Sequence, residues 1–244
     1  MVKKINVTVW NEEDGNQGAY PEGIHTAIAA FLKEDEQIGI LRVATLSQPE
    51  HGLTQEVLDD TDVLIWWGHL CHRLVEDVIV ERVHHRVLSG MGLLVLHSGH
   101  ASKIFRVLLG THVNRLRWRE ADERERVWVI EHNHPITAGI GEYIEIPQSE
   151  TYGEYFGIPT PDELIFISWY EGGEVFRSGC TFKRGNGKIF YFSPGHEGYR
   201  IYDMPPIQQV IKNAIGWAAP VGYPEVAFNE HPKSPEDIYK EKHP

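Results

Sequence analysis

The stretch Gly92-Leu93-Leu94-Val95-Leu96-His97-Ser98-Gly99-His100 decides the fold of this chain. Its apolar first half ends in polar residues, and a helix-like segment follows at 101–109. A continuous apolar run of this length is typical of a buried parallel strand that turns into a helix. Because ligands of open α/β sheets bind beyond the carboxyl ends of the strands, we predict chemistry at this turn. It is not a Gly-x-Ser-x-Gly nucleophile elbow, since Leu96 and His100 occupy the two glycine positions.

Strand-like and helix-like segments alternate through the first hundred residues. The predicted strands cover 5–10, 40–46, 63–67 and 93–96, and the predicted helices cover 23–33, 54–58 and 76–88. Such alternation is typical of right-handed βαβ units. We therefore predict a flavodoxin-like α/β fold, in which a mainly parallel sheet carries helices on both faces.

The second half of the chain has a different pattern. Short β-type runs begin at Trp118, and further strands are predicted at 164–169 and 188–192 with a hairpin turn at 184–187. A last helix is predicted at 206–217. We interpret these runs as a β-rich insertion in a single domain, residues 1–219, followed by an extended C-terminal tail, residues 220–244.

Composition restricts the classes of partner and the compartment. The net charge of −12 argues against nucleic acid or an anionic membrane as a partner. Cys71 and Cys180 are the only cysteines, and no apolar run is long enough to span a membrane. These features predict a cytoplasmic protein. Apolar and aromatic residues in the tail (Tyr223, Val226 and Phe228) make a homo-oligomer a reasonable expectation.

Polar residues follow each predicted strand, and the carboxyl ends of parallel strands meet at one edge of a sheet. Aromatic faces beside hydrogen-bonding groups are suited to binding a sugar ring. The segment 148–156 is interpreted as a polar-aromatic loop, containing Glu150, that folds over the resulting cleft. The predicted substrate-binding residues are Trp10, Glu12, Trp67, Ser98, His100, Tyr152, Glu154 and Trp169.

Histidines at the strand ends are the predicted catalytic groups, because imidazole titrates near neutral pH. The catalytic candidates are His69, His97, His196 and Glu197. No organic cofactor is indicated, since the glycines form neither a dinucleotide-binding motif nor a phosphate-binding loop. A divalent metal such as zinc stays open as an alternative, with His97, His196 and Glu197 as ligands. The remaining alternative is that these side chains only brace loops.

Several blocks together resemble the ThuA-like, or trehalose-utilization, family over roughly residues 4–220. They are Trp66-Trp67-Gly68-His69, His97-Ser98-Gly99-His100, Trp118-Arg119-Glu120, Tyr152-Gly153-Glu154, Phe176-Arg177-Ser178-Gly179-Cys180 and Ser193-Pro194-Gly195-His196-Glu197. The resemblance implies a fold similar to class I glutamine amidotransferase domains. Those enzymes carry a cysteine at the elbow and a His-x-Glu motif after a late strand. Here His97-Ser98 stands at the elbow and His196-Glu197 has no intervening residue, which argues against glutamine hydrolysis.

The resemblance implies instead a role in carbohydrate metabolism. Its expected substrates are 3-keto derivatives of trehalose and related disaccharides, which a partner dehydrogenase would supply, and the expected reaction is isomerisation, epimerisation or elimination. Two other classes of function stay open. One is a non-catalytic sugar-binding or regulatory protein on the same fold, and the other is a hydrolase that uses Ser98 as its nucleophile.

Overall fold

A computed structural model of the chain describes residues 4–13, 18–112 and 116–222. These residues form nine strands and five α-helices. The strands are β1 (Ile5–Asn11), β2 (Ile38–Thr45), β3 (Val63–Trp67), β4 (Gly92–Leu96), β5 (Arg117–Val129), β6 (Tyr143–Gly153), β7 (Glu163–Tyr170), β8 (Val175–Arg184) and β9 (Gly187–Phe192). The helices are α1 (Ile24–Leu32), α2 (Gln55–Asp59), α3 (Asp77–Leu88), α4 (Lys103–Leu109) and α5 (Pro205–Ala218).

All nine strands belong to one sheet, in the order β2-β1-β3-β4-β9-β8-β7-β5-β6. The first five strands in this order pair in parallel. Every residue of β3 and β4 is buried, which explains why their sequences are continuously apolar rather than alternating. This half of the sheet brings the carboxyl ends of β3, β4 and β9 side by side.

Helices cover both faces of the parallel half, as predicted from the alternating segments. Successive strand residues point to opposite faces, so Ile65 packs in the core with α1 and α5, whereas Leu64 packs in the core with α2, α3 and α4. Local signals set the helix ends. Ser102 accepts a hydrogen bond from the backbone N–H of Phe105 and so caps α4, which ends at Gly110 with a positive φ of 62°.

The other half of the sheet is antiparallel, so the prediction of a mainly parallel sheet needs correction. Four strand pairings are parallel and four are antiparallel. The predicted β-rich insertion exists, but it extends the main sheet. A connection as short as residues 185–186, between β8 and β9, cannot cross over the sheet and therefore forces an antiparallel hairpin.

The predicted loop at 148–156 is wrong for most of its length. Residues up to Gly153 belong to β6, which pairs with β5. Its polar side chains concealed the strand pattern, because several of them are buried and hydrogen-bonded rather than exposed. Although β6 is the far edge strand, its end reaches the β4 turn, where Tyr152 Oη lies 2.8 Å from Ser98 Oγ. The β5–β6 pair therefore curls back over the carboxyl ends of the parallel strands.

No helix in the described part of the chain is long and apolar enough to cross a membrane. The described chain continues four residues beyond the last helix, to residue 222. Tyr223, Val226 and Phe228, and nearly all of the predicted tail, lie outside the described residues. The homo-oligomer therefore stays a prediction.

Candidate functional site

Three imidazoles meet at the carboxyl edge of the parallel strands. His69 follows β3, His97 follows β4, and His196 follows β9. The ring centroids are 5.3 Å apart for His69–His196, 5.3 Å for His97–His196 and 5.8 Å for His69–His97. His97 also has a φ of 51°, a left-handed conformation that is uncommon outside glycine and that often marks functional turns.

His69 forms a close pair with Glu197. Its Nδ1 lies 2.7 Å from Glu197 Oε1, and because a carboxylate only accepts, Nδ1 carries the proton. The lone pair of the neutral ring is then on Nε2. Burial lowers the pKa of His69, but the bond and the negative charge of Glu197 outweigh burial and raise the pKa above its ordinary value. Burial raises the pKa of Glu197, but the bond to His69 outweighs burial and the pKa falls to about 2.

His196 has the opposite tautomer. The backbone N–H of Gly198 donates to His196 Nδ1 at 3.0 Å, so the proton of the neutral ring is on Nε2. That Nε2 is buried without a hydrogen-bond partner. Burial and the positive charge of His97 lower the pKa of His196, which keeps its ring neutral. The N–H group of His196 Nε2 therefore makes no hydrogen bond, and Glu120 Oε1 and Glu197 Oε2 each lie 3.7 Å from it.

His97 and Glu150 form a buried pair behind these two rings. His97 Nδ1 donates to the backbone carbonyl of Ser193 at 3.0 Å, and His97 Nε2 lies 3.1 Å from Glu150 Oε2. The alignment of these last two atoms is too poor for a hydrogen bond, so Glu150 Oε2 is buried beside the ring without a hydrogen-bond partner. Burial raises the pKa of Glu150, but the contact with His97 outweighs burial and holds the pKa below its ordinary value. Glu150 is therefore held as a carboxylate beside the His97 ring.

Tyr152 completes the buried part of the site. Its Oη lies 2.8 Å from Ser98 Oγ and 3.4 Å from His97 Nε2. Burial raises the pKa of Tyr152 well above its ordinary value, so the phenol stays protonated and remains a donor. The hydroxyl of Ser98 thus has a phenol rather than a base as its close partner, which does not favour a serine nucleophile.

These groups line a cavity of about 540 Å³. This volume lies within the range of roughly 300–1,000 Å³ that small-molecule sites occupy. The lining residues are His69, Leu70, His72, Ser98, His100, Ala101, Leu116, Trp118, Glu120, Glu150, Tyr152, His196 and Glu197. A cavity with this lining offers a basic nitrogen at His69 and donors at His196 and Tyr152. It can therefore move a proton on a small polar molecule.

The family model described as ThuA, trehalose utilisation, matches residues 6–218. The chain belongs to the ThuA family. Among curated proteins none matches the sequence. Membership of a family described by trehalose utilisation supports a carbohydrate-related role.

Solved structures with the ThuA-like fold come from several bacteria. A putative ThuA-like protein from Parabacteroides merdae has a TM-score of 0.69 at 12% identity, with 91% of this chain and 93% of that chain covered. A cytoplasmic protein from Salmonella typhimurium has a TM-score of 0.61 at 14% identity, with 88% and 99% covered. PurLQS from Thermotoga maritima has a TM-score of 0.55 at 14% identity, with 88% and 99% covered. At these identities the likeness shows the fold alone.

Most of the predicted ThuA site residues lie together. His69, Ser98, His100, Tyr152, His196 and Glu197 all line the cavity. His97 and Trp67 lie directly behind its wall, where the Trp67 ring packs against both His69 and His97. His100 donates from Nδ1 to the His97 carbonyl at 3.1 Å, and burial lowers its pKa to about 3, so it is a neutral wall residue.

Four predicted substrate-binding residues are not brought to the cavity. Trp10 is buried against Trp66, and Glu12 accepts hydrogen bonds from the backbone N–H groups of Leu70 and Cys71. The other two are Glu154, which pairs with Arg177, and Trp169, which packs against Arg126 outside the site. Trp10 and Glu12 support the site from behind, whereas β7 lies two strands from β9 and leaves Trp169 outside the cavity.

Three cavity residues on the β5–β6 pair are absent from the predicted set: Glu150, Trp118 and Glu120. Glu150 was recognised only as part of a loop, and the other two only as part of the family resemblance. All three lie on the β5–β6 pair, and the sequence gives no signal that the far edge of the sheet folds back on β4. The alternation of polar and aromatic residues at 118–120 and 150–152 was the available clue.

The geometry changes the predicted metal-ligand set. One ligand atom of each of His97, Glu150 and His196 lies within 4.8 Å of the others, so Glu150 replaces Glu197 beside the two histidines. Glu197 belongs to a second such group with His69 and His196. The hydrogen bond from Gly198 opposes metal at His196 Nε2, because a ligating Nε2 would require a proton on Nδ1.

Proposed function

We propose that this ThuA protein catalyses proton transfer on a 3-keto sugar, preferably a keto-disaccharide, with His69 as the base. The observation that carries the proposal is the presence of two neighbouring imidazoles with opposite tautomers in one cavity. The lone pair of His69 Nε2 and the N–H of His196 Nε2 belong to rings with centroids 5.3 Å apart. A base and a hydrogen-bond donor close together in one cavity are what enolisation of a ketone needs.

His69 has the support that a general base requires. Glu197 holds the ring in one tautomer and stabilises the imidazolium that forms when Nε2 takes a proton, as the carboxylate of a catalytic triad does. A hydrogen on the carbon beside a carbonyl is acidified, so His69 Nε2 can remove it from C2 of a 3-keto sugar.

The electron pair from that carbon–hydrogen bond moves onto the carbonyl oxygen. His196 Nε2–H and Tyr152 Oη–H are donors for the negative charge that develops there. Return of the proton to C2 from the other face gives epimerisation, and protonation of the former carbonyl carbon gives isomerisation. Loss of the glycosidic oxygen on C1 gives elimination. Which of these follows depends on how the sugar lies in the cavity.

The direct test is exchange with solvent. We expect the protein, incubated with 3-keto-trehalose in D2O, to place deuterium on the carbon beside the ketone, as followed by NMR. Product is expected to form at the rate of deuterium exchange or more slowly. The absence of both deuterium exchange and product would overturn the proposal. Tight sugar binding in that experiment without exchange would instead identify a non-catalytic sugar-binding protein.

A bound divalent cation such as zinc is the second candidate for the same site. The buried group of His97, Glu150 and His196 favours it, since Glu150 Oε2 and His196 Nε2 are both buried without hydrogen-bond partners. Nitrogen and carboxylate ligands suit zinc, and the cation would polarise the substrate carbonyl. It would require the Gly198–His196 hydrogen bond to break.

Elemental analysis of the untagged protein separates the two candidates. For acid–base chemistry without metal, we expect substoichiometric zinc and activity that survives treatment with a chelator. One equivalent of a divalent ion that is lost in Glu150→Gln and in His97→Ala would establish the metal site instead. Glu145→Gln, on the exposed side of the same strand, is the matched control and should retain the wild-type metal content.

We further propose a cytoplasmic location for this protein. The Salmonella neighbour with the same fold carries that word in its name, and both cysteines of this chain are free. A nucleic-acid partner stays disfavoured by the net charge of −12.

A further inference from the structure

Trp118 stands at the mouth of the cavity with most of its indole exposed. Its exposed fraction is 64%, yet it belongs to the cavity lining. A tryptophan that contributes little to a core exposes a large apolar surface to water, which costs free energy unless a ligand covers it. The position of Trp118 relative to the buried groups indicates what such a ligand is.

The β5–β6 register connects Trp118 to the reaction centre. Trp118 lies directly opposite Tyr152, and Glu120 lies directly opposite Glu150. Residues opposite each other in an antiparallel pair share one face, with side chains about 5 Å apart. The four side chains therefore form one wall. Its β6 members are buried near His97, and its β5 members are exposed at the rim.

The two β5 members of the wall, Trp118 and Glu120, have the chemistry of a sugar-binding subsite. The indole face offers a surface on which the CH groups of a pyranose ring stack, and the neighbouring carboxylate of Glu120 accepts hydrogen bonds from hydroxyls. Glu120 is about half exposed, with 54% of its side chain accessible, and its Oε1 lies 3.7 Å from His196 Nε2, so this carboxylate borders the reaction centre as well as the rim. Leu70, 75% exposed, is another large apolar side chain in this lining.

We propose that Trp118 binds the second, non-reacting ring of the substrate, so that the enzyme selects disaccharides over monosaccharides. This inference rests on the proposed function, because it takes the reacting ring to lie at His69 and His196. The two-ring length of the substrate follows from the wall, which runs from the buried Tyr152 to the exposed Trp118. Trp118 is a specificity residue and not a catalytic one.

The test compares Trp118→Ala with the wild type on two substrates, 3-keto-trehalose and 3-keto-glucose. Loss of one stacking contact should raise KM for the disaccharide on the order of tenfold and change kcat less than about twofold. KM for the monosaccharide should not change. Trp118→Phe should restore most of the affinity, and Trp128→Ala, on the same strand but outside the cavity, should behave as wild type.

An equal effect on both substrates, or none on either, would overturn the subsite. If the wild type turns over neither compound, the proposed function fails and the subsite is measured by calorimetry with trehalose and glucose. The subsite would then be supported if Trp118→Ala bound trehalose more weakly than the wild type but bound glucose equally well. Equal binding of trehalose by wild type and variant, or no binding by either, would overturn it.

Discussion

His69→Gln is expected to lower kcat for a 3-keto disaccharide by roughly 10²–10⁴, the usual contribution of a general acid or base. The substitution removes the lone pair on Nε2, but the amide can still donate to Glu197, so the fold should persist. The measurement is steady-state turnover followed by NMR. His85→Gln, an exposed histidine on α3, is the control for loss of an imidazole and should retain full activity.

The Glu197→Gln variant is a second test of His69 as the base. Activity requires neutral His69, so it falls as the pH drops through the pKa of this group. Because Glu197 raises that pKa, its removal should lower the pKa and move the acidic limb of the pH–rate profile to lower pH. A full rate in His69→Gln, or an acidic limb unchanged in Glu197→Gln, would show that another residue is the base.

Gly195→Ala is expected to cost about 3–5 kcal/mol of unfolding free energy, as overpacking and backbone strain combine. Gly195 has a φ of +135°, and a Cβ added there would lie 2.0 Å from the hydroxyl oxygen of Tyr202, whose side chain is fully buried. The carbonyl of Gly195 also accepts the indole N–H of Trp67 at 3.1 Å. The midpoint of urea denaturation should fall correspondingly.

Gly173→Ala is the matched control, because it separates strain from overpacking. Gly173 has a φ of +98°, but a Cβ added there would meet nothing within 4 Å. Its substitution should cost only about 1–2 kcal/mol, the backbone contribution alone. Equal losses of stability in the two variants would show that Tyr202 can move aside.

Much of the parallel half could be predicted from the sequence, because each of its strands is marked by a short segment of the chain. A buried parallel strand reads as an apolar run, and polar residues at its end mark the sheet edge, which is how His69, His97 and His196 were found. The antiparallel half was harder to predict from the sequence. Buried residues such as Glu125, held by the hydroxyls of Ser149 and Ser168, break the apolar pattern that identifies strands.

The chemistry within the site could not be predicted from residue types. His69 and His196 are the same amino acid, yet Glu197 fixes one tautomer and Gly198 fixes the other. These partners depend on the turn after β9, whose path is set by tertiary packing. Likewise Glu150 reaches His97 only because the β5–β6 pair curls back, a property of the twisted sheet and not of any short segment.

The pairing of His69 with Glu197 joins positions 128 residues apart in the chain. During synthesis the base is made early and its carboxylate partner late, and ribosomes add roughly 5–20 residues per second. A nascent chain that ends before β9 has β3 and β4 but neither Glu197 nor His196. The growing polypeptide thus cannot form the His69–Glu197 pair until β9 has inserted at the centre of the sheet, between β4 and β8.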